Sequence, residues 1–435
     1  MINDRVGQSW GGSVGAVGSS TSSNTVVVGG GAIGAACAYY LRRAGHDVTL
    51  IDQGSFGRGC SHGNCGYVCP SHVLPLAGPG ALTATLKTLL SRNSPLKVRW
   101  RLDPAMWRWF WQFAKKCNQR DLLKSGEGIQ ALLQSSRSLY DELLQETLTD
   151  VEWEDRGLLF VFQSRQGMEH YAETDRLLRS EFNMAATPYE GAALQQLEPS
   201  LKPGIAGAWH YRSDGHLRPD KLMSAWRRAL EKVGVTIREQ VELLDWKVSA
   251  GQVRGLVTSA GEIAAGQVVM ATGAWTPRLQ QLLRAPIAIQ PGKGYSLTMT
   301  RPQRCPRYSM IFEEHRVAVT PLATTYRIGS TMEFAGYDDS LNPARLQLLR
   351  DGAQIYLHEP LGETVLESWS GWRPMTPDSL PFIGRLPALG NVWLAAGHGM
   401  LGVSMSPGTG RLIAELVTAQ TPHVDPAAYR VDRSL

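Results

Sequence analysis

The stretch VVVGGGAIGAACAYYLRRAGHDVTLID, residues 26 to 52, constrains the fold more than any other part of the chain. A β-branched run from Thr25 to Val28 meets Gly29, Gly31 and Gly34 in G-x-G-x-x-G register, and Ala32 to Arg43 then reads as a helix stopped by Gly45. Val48 to Ile51 makes a second strand, so the unit is β-α-β. In such a unit the first glycine permits a tight turn, the second lets backbone amides approach a pyrophosphate, and the third lets helix and strand pack closely, while the helix N-terminus favours the anion. Asp52 ends the second strand, 18 residues after Gly34, where a carboxylate can accept ribose hydroxyls. The competing account is a glycine turn that only packs a βα corner, with Asp52 as an ordinary capping acid. The fingerprint predicts a dinucleotide site and does not separate FAD from NAD.

A chain of 435 residues, 43% hydrophobic and 19% charged, buries a large core without disulfide or metal staples. No run of 18 apolar residues occurs, so no membrane-spanning helix is predicted. Cys37, Cys60, Cys65, Cys69, Cys117 and Cys305 lack a zinc spacing and are too sparse for a disulfide framework, which suits a reducing compartment and free thiols. No metal site is expected. The net charge of +5 is local: Lys87 to Arg120 holds nine basic residues against Asp103 alone, so a nucleic-acid partner does not follow.

Residues 1–24 are Gly/Ser-rich without a signal-peptide core and read as a disordered extension. An amphipathic helix is expected over roughly 125 to 148, a strand at Leu158 to Phe162, a helix at Leu222 to Lys232 ending at Gly234, and short strands at Val235 to Ile237 and Val268 to Ala271. Short β runs between Tyr295 and Met332 predict an antiparallel sheet. The expected fold class is α/β: a Rossmann-like dinucleotide domain at 25–75, 205–290 and 368–435, interleaved with an α+β substrate domain at 76–204 and 291–367 built on that sheet.

Motifs further along choose the cofactor. VVMATGAWT (Val268 to Thr276) resembles the second flavin-domain signature of two-dinucleotide-binding-domain flavoproteins. GWRPMTPDSLPFIG (Gly371 to Gly384) and NVWLAAGHGMLGVSMSPGTG (Asn391 to Gly410) resemble the C-terminal flavin-closing motif of the D-amino acid oxidase superfamily. PGKGYSLTMT (Pro291 to Thr300), the segment Asn64 to Pro70 and GWRPMTPD are most similar to its bacterial D-amino acid dehydrogenase branch.

This resemblance covers Thr25 to Asp432 and implies FAD. It implies that the cofactor meets Gly29, Gly31, Ala32, Ile33, Gly34, Asp52 and Gln53 in the first unit, Ser61, Asn64 and Gly66 in the next loop, and Val241, Ala271, Gly273 and Trp275 mid-chain. At the C-terminal motif it implies Arg373, Gly397, His398, Gly399, Met400, Leu401 and Gly402. A helix starting near Gly402 would point amides at the flavin N1–C2=O edge, where reduction places negative charge. His398 is equally well read as a histidine satisfied by nearby backbone. His62 stands one place off the histidine that holds FAD covalently in dimethylglycine-oxidising relatives, and noncovalent FAD is expected.

Arg373 matches the family's carboxylate-binding arginine, whose planar fork suits a bidentate carboxylate. Some relatives carry a second arginine after the Gly-His dipeptide, whereas Met400 stands in the corresponding run here. Tyr295 is the second catalytic candidate, with core packing on a strand as its alternative. The implied reaction is oxidative deamination of D-amino acids to 2-oxo acids and ammonia, by hydride transfer from Cα to the flavin. Alternatives are another amine, such as D-hydroxyproline, proline, sarcosine or glycine, an NAD enzyme, or a non-catalytic flavoprotein subunit.

Trp100, Trp107, Trp109, Phe110, Trp111 and Phe113 crowd one short stretch, with Trp107, Phe110, Trp111 and Ala114 on one helical face and Arg108, Lys115 and Lys116 nearby. Tryptophan with basic residues is the composition of an interfacial helix, and core packing is its equal alternative. The interfacial reading places a cytoplasmic enzyme at the inner face of the membrane through residues 100–116, with electrons passed to a quinone acceptor as the dehydrogenase branch implies.

Overall fold

The computed structural model describes residues 24–81, 96–99 and 101–435. Lys87, Arg92, Trp100 and the extension before Asn24 lie outside the described residues. The opening strand, Asn24–Val28, pairs in parallel with Asp47–Ile51 on one side and Gln267–Met270 on the other. Its valines are buried on both faces, as a central parallel strand requires. Thr236–Arg238 extends this sheet beyond Asp47–Ile51, and Val392–Ala396 followed by Phe382–Arg385 completes six strands at the other end.

Helix Ala32–Arg43 covers one face and packs against helix Gly402–Val417. The two come close because Gly410 has no β-carbon: one would press on the backbone of Ala36. The second dinucleotide-type strand therefore returns late in the chain, as the sequence indicates. Between Thr236–Arg238 and Gln267–Met270 the chain also builds a small antiparallel sheet, Leu243–Ser249, Gln252–Thr258 and Gly261–Ala264, which has no strong signal in the sequence.

A second, nine-stranded sheet is centred on Gln290–Met299, Ser309–Phe312, Val317–Pro321 and Tyr326–Phe334, antiparallel from strand to strand along most of its order. Two strands in it cross the expected boundaries. Gly207–Tyr211 pairs with Leu158–Phe162, so residues just after 205 belong to this sheet and not to the dinucleotide half. Val365–Met375 pairs along ten residues of Gln290–Met299, so residues 368–375 belong here too. An eleven-residue strand pairs as a unit, and the change of sheet comes only at the turn before Phe382.

Helix Gln119–Glu146 holds the predicted leucine stripe on its buried side, with Leu132, Leu133 and Leu143 in the main core and Leu139 buried beside them. Helix Pro104–Lys116 corrects the predicted aromatic face. Met106 and Trp109 are buried, Phe110 packs edge-on to Phe334, and only Trp107 and Trp111 of the predicted face turn outward. The reason is the period of 3.6: Met106, Trp109, Phe110 and Phe113 make one stripe against the sheet, and Trp107 and Trp111 fall one turn apart on the other side.

Candidate active site

The carboxyl ends of the parallel strands gather most of the expected cofactor residues along one edge of the six-stranded sheet. After Val28 comes the glycine turn. Gly29 has φ +113°, and its amide donates to the Ile51 carbonyl at 2.8 Å. A β-carbon on Gly34 would collide with the Gly29 carbonyl, so the third glycine is fixed by helix–strand contact. Gly31 caps helix Ala32–Arg43, whose leading amides, through Ile33, have no partner inside the helix. The Ala32 amide donates to Ser61 Oγ at 3.1 Å, which brings the second expected loop onto this N-terminus.

Asp52 accepts from the Gly30 amide at 2.6 Å and the Gly54 amide at 2.7 Å. Its carboxylate thus shapes the turn it also faces, and exposed Gln53 follows it. Val241 docks on the same strand end, its amide donating to the Asp52 carbonyl at 2.8 Å. Ala271 and Gly273 follow Gln267–Met270, and Gly397 to Gly402 follow Val392–Ala396.

Two of the expected side chains are engaged elsewhere. His398 is buried with Nε2 3.0 Å from Thr409 Oγ1, and burial lowers its pKa to about 3, so its imidazole is neutral and turned into the helix. Only its backbone remains at the loop. Trp275 stacks on Tyr337 at 5.2 Å and meets Trp372 edge-on.

The large sheet brings Arg373 to this edge. The Gly399 amide donates to the Pro374 carbonyl at 3.0 Å, which ties the C-terminal loop to the strand beside Arg373. The loop from Cys60 to Gly66 closes the other side. Arg327, buried on the same face, donates from Nη1 to the carbonyls of His62 at 3.0 Å and Asn64 at 2.6 Å, and Asn64 Oδ1 accepts the Gly66 amide at 2.7 Å. Arg327 escaped the sequence reading because nothing in its local pattern marks it. His62 Nε2 lies 2.8 Å from Glu367.

Arg373 donates from Nη1 to the Thr331 carbonyl at 2.6 Å, and more distantly, from Nη2, to that of Ser330 at 3.5 Å. Those residues sit at an irregularity in the Tyr326–Phe334 strand, with φ +51° and +112°. Among the described residues, no carboxylate hydrogen-bonds or ion-pairs with Arg373. Burial depresses its pKa, and only the thiols of Cys60 and Cys65 oppose that shift. Burial pushes both thiols up in turn.

Tyr295 does not join this site. In the pairing of Gln290–Met299 with Val365–Met375, Gly292 faces Arg373, whereas Tyr295 faces Ser370. Alternate residues point to opposite faces, so the phenol lies on the far side of the sheet. It is 1% exposed among Leu349, Ala353 and Tyr356, and its hydroxyl donates to Glu333 at 2.8 Å. The sequence carried the signal in the glycines: Gly292 and Gly294 alternate on the face of Arg373.

The space at this edge fits an extended flat cofactor. A β-carbon on Gly273 would meet nothing within 4 Å, one on Gly402 only His398 at 3.7 Å, and one on Gly399 only Met375 at 3.8 Å. Arg373, Cys60 and Cys65 are each only partly buried and keep accessible surface at this edge.

A family model, DAO, described as FAD dependent oxidoreductase, matches residues 24–416. The chain belongs to that family. FAD is its cofactor, which settles what the first fingerprint left open. D-amino acid dehydrogenases of Paramagnetospirillum magneticum and Xanthobacter autotrophicus are 33% identical to this oxidoreductase over 407 and 417 residues, covering 92% of its chain and 96% of each relative. Among solved structures, glycine oxidase from Geobacillus kaustophilus superposes with TM-score 0.77 at 23% identity, covering 95% of this chain and all of that one. L-proline dehydrogenase from P. horikoshii superposes with TM-score 0.68 at 20% identity, covering 92% and 94%. These two likenesses concern the fold.

The residues in place suit the cofactor. The amides at Gly31 to Gly34 would hold its pyrophosphate, Asp52 a ribose, and the N-terminus of Gly402–Val417 its ring system. One further cluster carries metal-type ligands: Cys69, His72 and Asp214 lie together, with Asp214 accepting from the amide and hydroxyl of Ser71.

Proposed function

We propose that this oxidoreductase oxidises D-amino acids to 2-oxo acids and ammonia and passes the electrons to a quinone-type acceptor. One observation carries the reading: Arg373 is a desolvated cation, oriented by backbone carbonyls, with no acidic partner among the described residues. A buried charge needs a counter-charge, and a substrate carboxylate supplies it. The curated relatives named D-amino acid dehydrogenase support the substrate class.

Bound FAD supplies the two-electron acceptor for the Cα hydrogen. Arg373 fixes the carboxylate and so sets the orientation of Cα, which is worth orders of magnitude in rate by positioning alone. The first turn of Gly402–Val417 directs amides to where negative charge develops. Loss of hydride from a neutral amine leaves an imino acid, and water converts it to the 2-oxo acid and ammonia. We take FAD to be noncovalent, since His62 Nε2 is engaged by Glu367, and expect all of the flavin in the supernatant after acid precipitation.

Helix Pro104–Lys116 is our proposed membrane contact. Trp107 and Trp111 are 39% and 58% exposed beside exposed Arg108 and Lys115, with Lys115 Nζ 3.5 Å from the Trp111 ring centre. Among the described residues no helix is long and apolar enough to cross a membrane.

Anaerobic bleaching of the flavin absorbance by matched D- and L-amino acids, with proline, hydroxyproline, glycine and sarcosine, tests the reaction. Bleaching by several D-enantiomers and by none of their mirror images is expected. Bleaching confined to a cyclic or N-methylated amine would leave Arg373 its role and move the substrate to another amine.

A further inference from the structure

The strand pairing that turns Tyr295 away aligns a second set of side chains with Arg373. Gly294 stands opposite Gly371, and Ser296 stands opposite Trp369, all on the face of Arg373. A β-carbon on Gly294 would fall inside the Arg373 guanidinium, and one on Gly371 would fall on the outer edge of the Trp369 indole, at Cη2 and Cζ2. The guanidinium and the indole therefore lie down across a floor of two paired glycines, whose Cα atoms in such a pair are about 4.5–5.5 Å apart.

The indole is also clamped from the cofactor side. A β-carbon on Gly63 would overlap Trp369 at Cδ2 and Cε3, so Trp369 is seated between Gly63 of the Cys60 to Gly66 loop and Gly371 of the strand. It keeps accessible surface. Beyond it on the same face, Glu367 pairs with His62. The order along this face is thus guanidinium, indole, then the hydrogen-bonded His62 and Glu367.

We infer that Trp369 is a specificity-determining residue whose indole receives the substrate's side chain, selecting flat or branched apolar side chains. The inference rests on the reading of Arg373 as the carboxylate anchor. A carboxylate on the guanidinium sets Cα one or two bonds away, and the adjoining surface is the indole. An aromatic face held between two glycines has few rotamers to lose, so it buries apolar area at little entropic cost. A charged side chain there would be desolvated against the ring, with Glu367 already engaged by His62.

Titration of the flavin absorbance of the holoprotein with acetate and with phenylacetate tests this without turnover. Wild type is expected to bind phenylacetate at least tenfold more tightly than acetate. Trp369→Ala should cut that ratio at least tenfold, while Trp369→Phe keeps most of it. An unchanged ratio in a flavin-replete Trp369→Ala protein would overturn the inference. Should the alanine variant lose flavin, Trp369→Leu decides: a ratio that falls with leucine but not with phenylalanine supports the ring's role, and equal ratios remove it. Arg373→Lys separates the two readings, because it should weaken both ligands alike. If it weakens neither, the anchor itself is wrong and the inference falls with it. If it behaves as expected while the Trp369 variants change nothing, only the role of the indole is lost.

Discussion

Arg373 and Thr331 are joined by a hydrogen bond from a guanidinium Nη1 to a backbone carbonyl at 2.6 Å, where an ion pair would ordinarily stand. The carbonyl fixes the direction of the fork and leaves its charge uncompensated. It is aimed by backbone at φ +51° for Thr331 and +112° for Ser330, conformations that cost of order 1–3 kcal/mol each in non-glycine residues. Strain of this kind persists where surrounding structure enforces it, here two flanking strands paired to the same segment.

Arg373→Lys keeps the charge and loses the fork. The Michaelis constant for the amino-acid substrate should rise about tenfold or more, equivalent to about 1.4 kcal/mol of binding. Steady-state kinetics with a dye acceptor reads this directly, and unchanged constants would remove Arg373 from the substrate site.

The sequence made the glycine turn, the helix and the carboxyl-edge motifs legible because each is a local pattern with a fixed physical job. Asp52 and Gly34 follow from spacing, and Gly402 from the resemblance of the C-terminal motif to the family's. What it hid depends on pairing between distant strands. Tyr295 and Gly294 are neighbours in sequence, and only the register against Val365–Met375 says which face belongs to the site. Arg327, Trp369 and the irregular pair Ser330 and Thr331 were missed for the same reason, since each acts on a partner dozens to hundreds of residues away. The aromatic helix was half legible: its composition showed an apolar and a basic element, but which tryptophans face the core needs the Phe334 side of the sheet.

Gly34→Ala tests the cofactor turn. Its β-carbon would collide with the Gly29 carbonyl, a backbone group with no freedom to move aside. We expect flavin content well under half of wild type, and a stability loss of about 1–3 kcal/mol from overpacking. Stoichiometric flavin in the purified variant would show that helix and strand tolerate the wider spacing.

Asp214 makes stability depend on pH. Burial raises its carboxyl pKa from 3.8 to about 7, against donors from Ser71. Below pH 4 the folded and unfolded chains are both protonated there and the contribution is complete. As pH rises toward 7 only the folded chain keeps the proton, so stability falls by at most about 1.4 kcal/mol per pH unit, then levels off. Asp214→Asn should flatten the melting temperature between pH 5 and 7 relative to wild type. Parallel pH profiles for the two proteins would show that the carboxylate ionises in the fold without cost.

Membrane contact rests on an outward pair of tryptophans and should fail when they are removed. Trp107 and Trp111 lie one helical turn apart, flanked by Arg108 and Lys115, with the fully exposed Leu102 just before the helix. Indole rings at headgroup depth and cations against anionic lipid each add to binding, at about 1 kcal/mol per cation near a charged surface. Wild type should float with anionic vesicles and remain below neutral ones, and high salt should weaken it. Trp107→Ala/Trp111→Ala should stay at the bottom of the gradient while keeping its flavin and its activity with a soluble dye, because both rings are exposed and Trp107 meets only the outer side of Phe110, at 6.1 Å between ring centres, whereas Trp109 and Phe110 keep their contacts with Phe334. Equal flotation of both proteins would assign the contact to another surface, and no flotation of wild type would make the pair an exposed feature without a lipid partner.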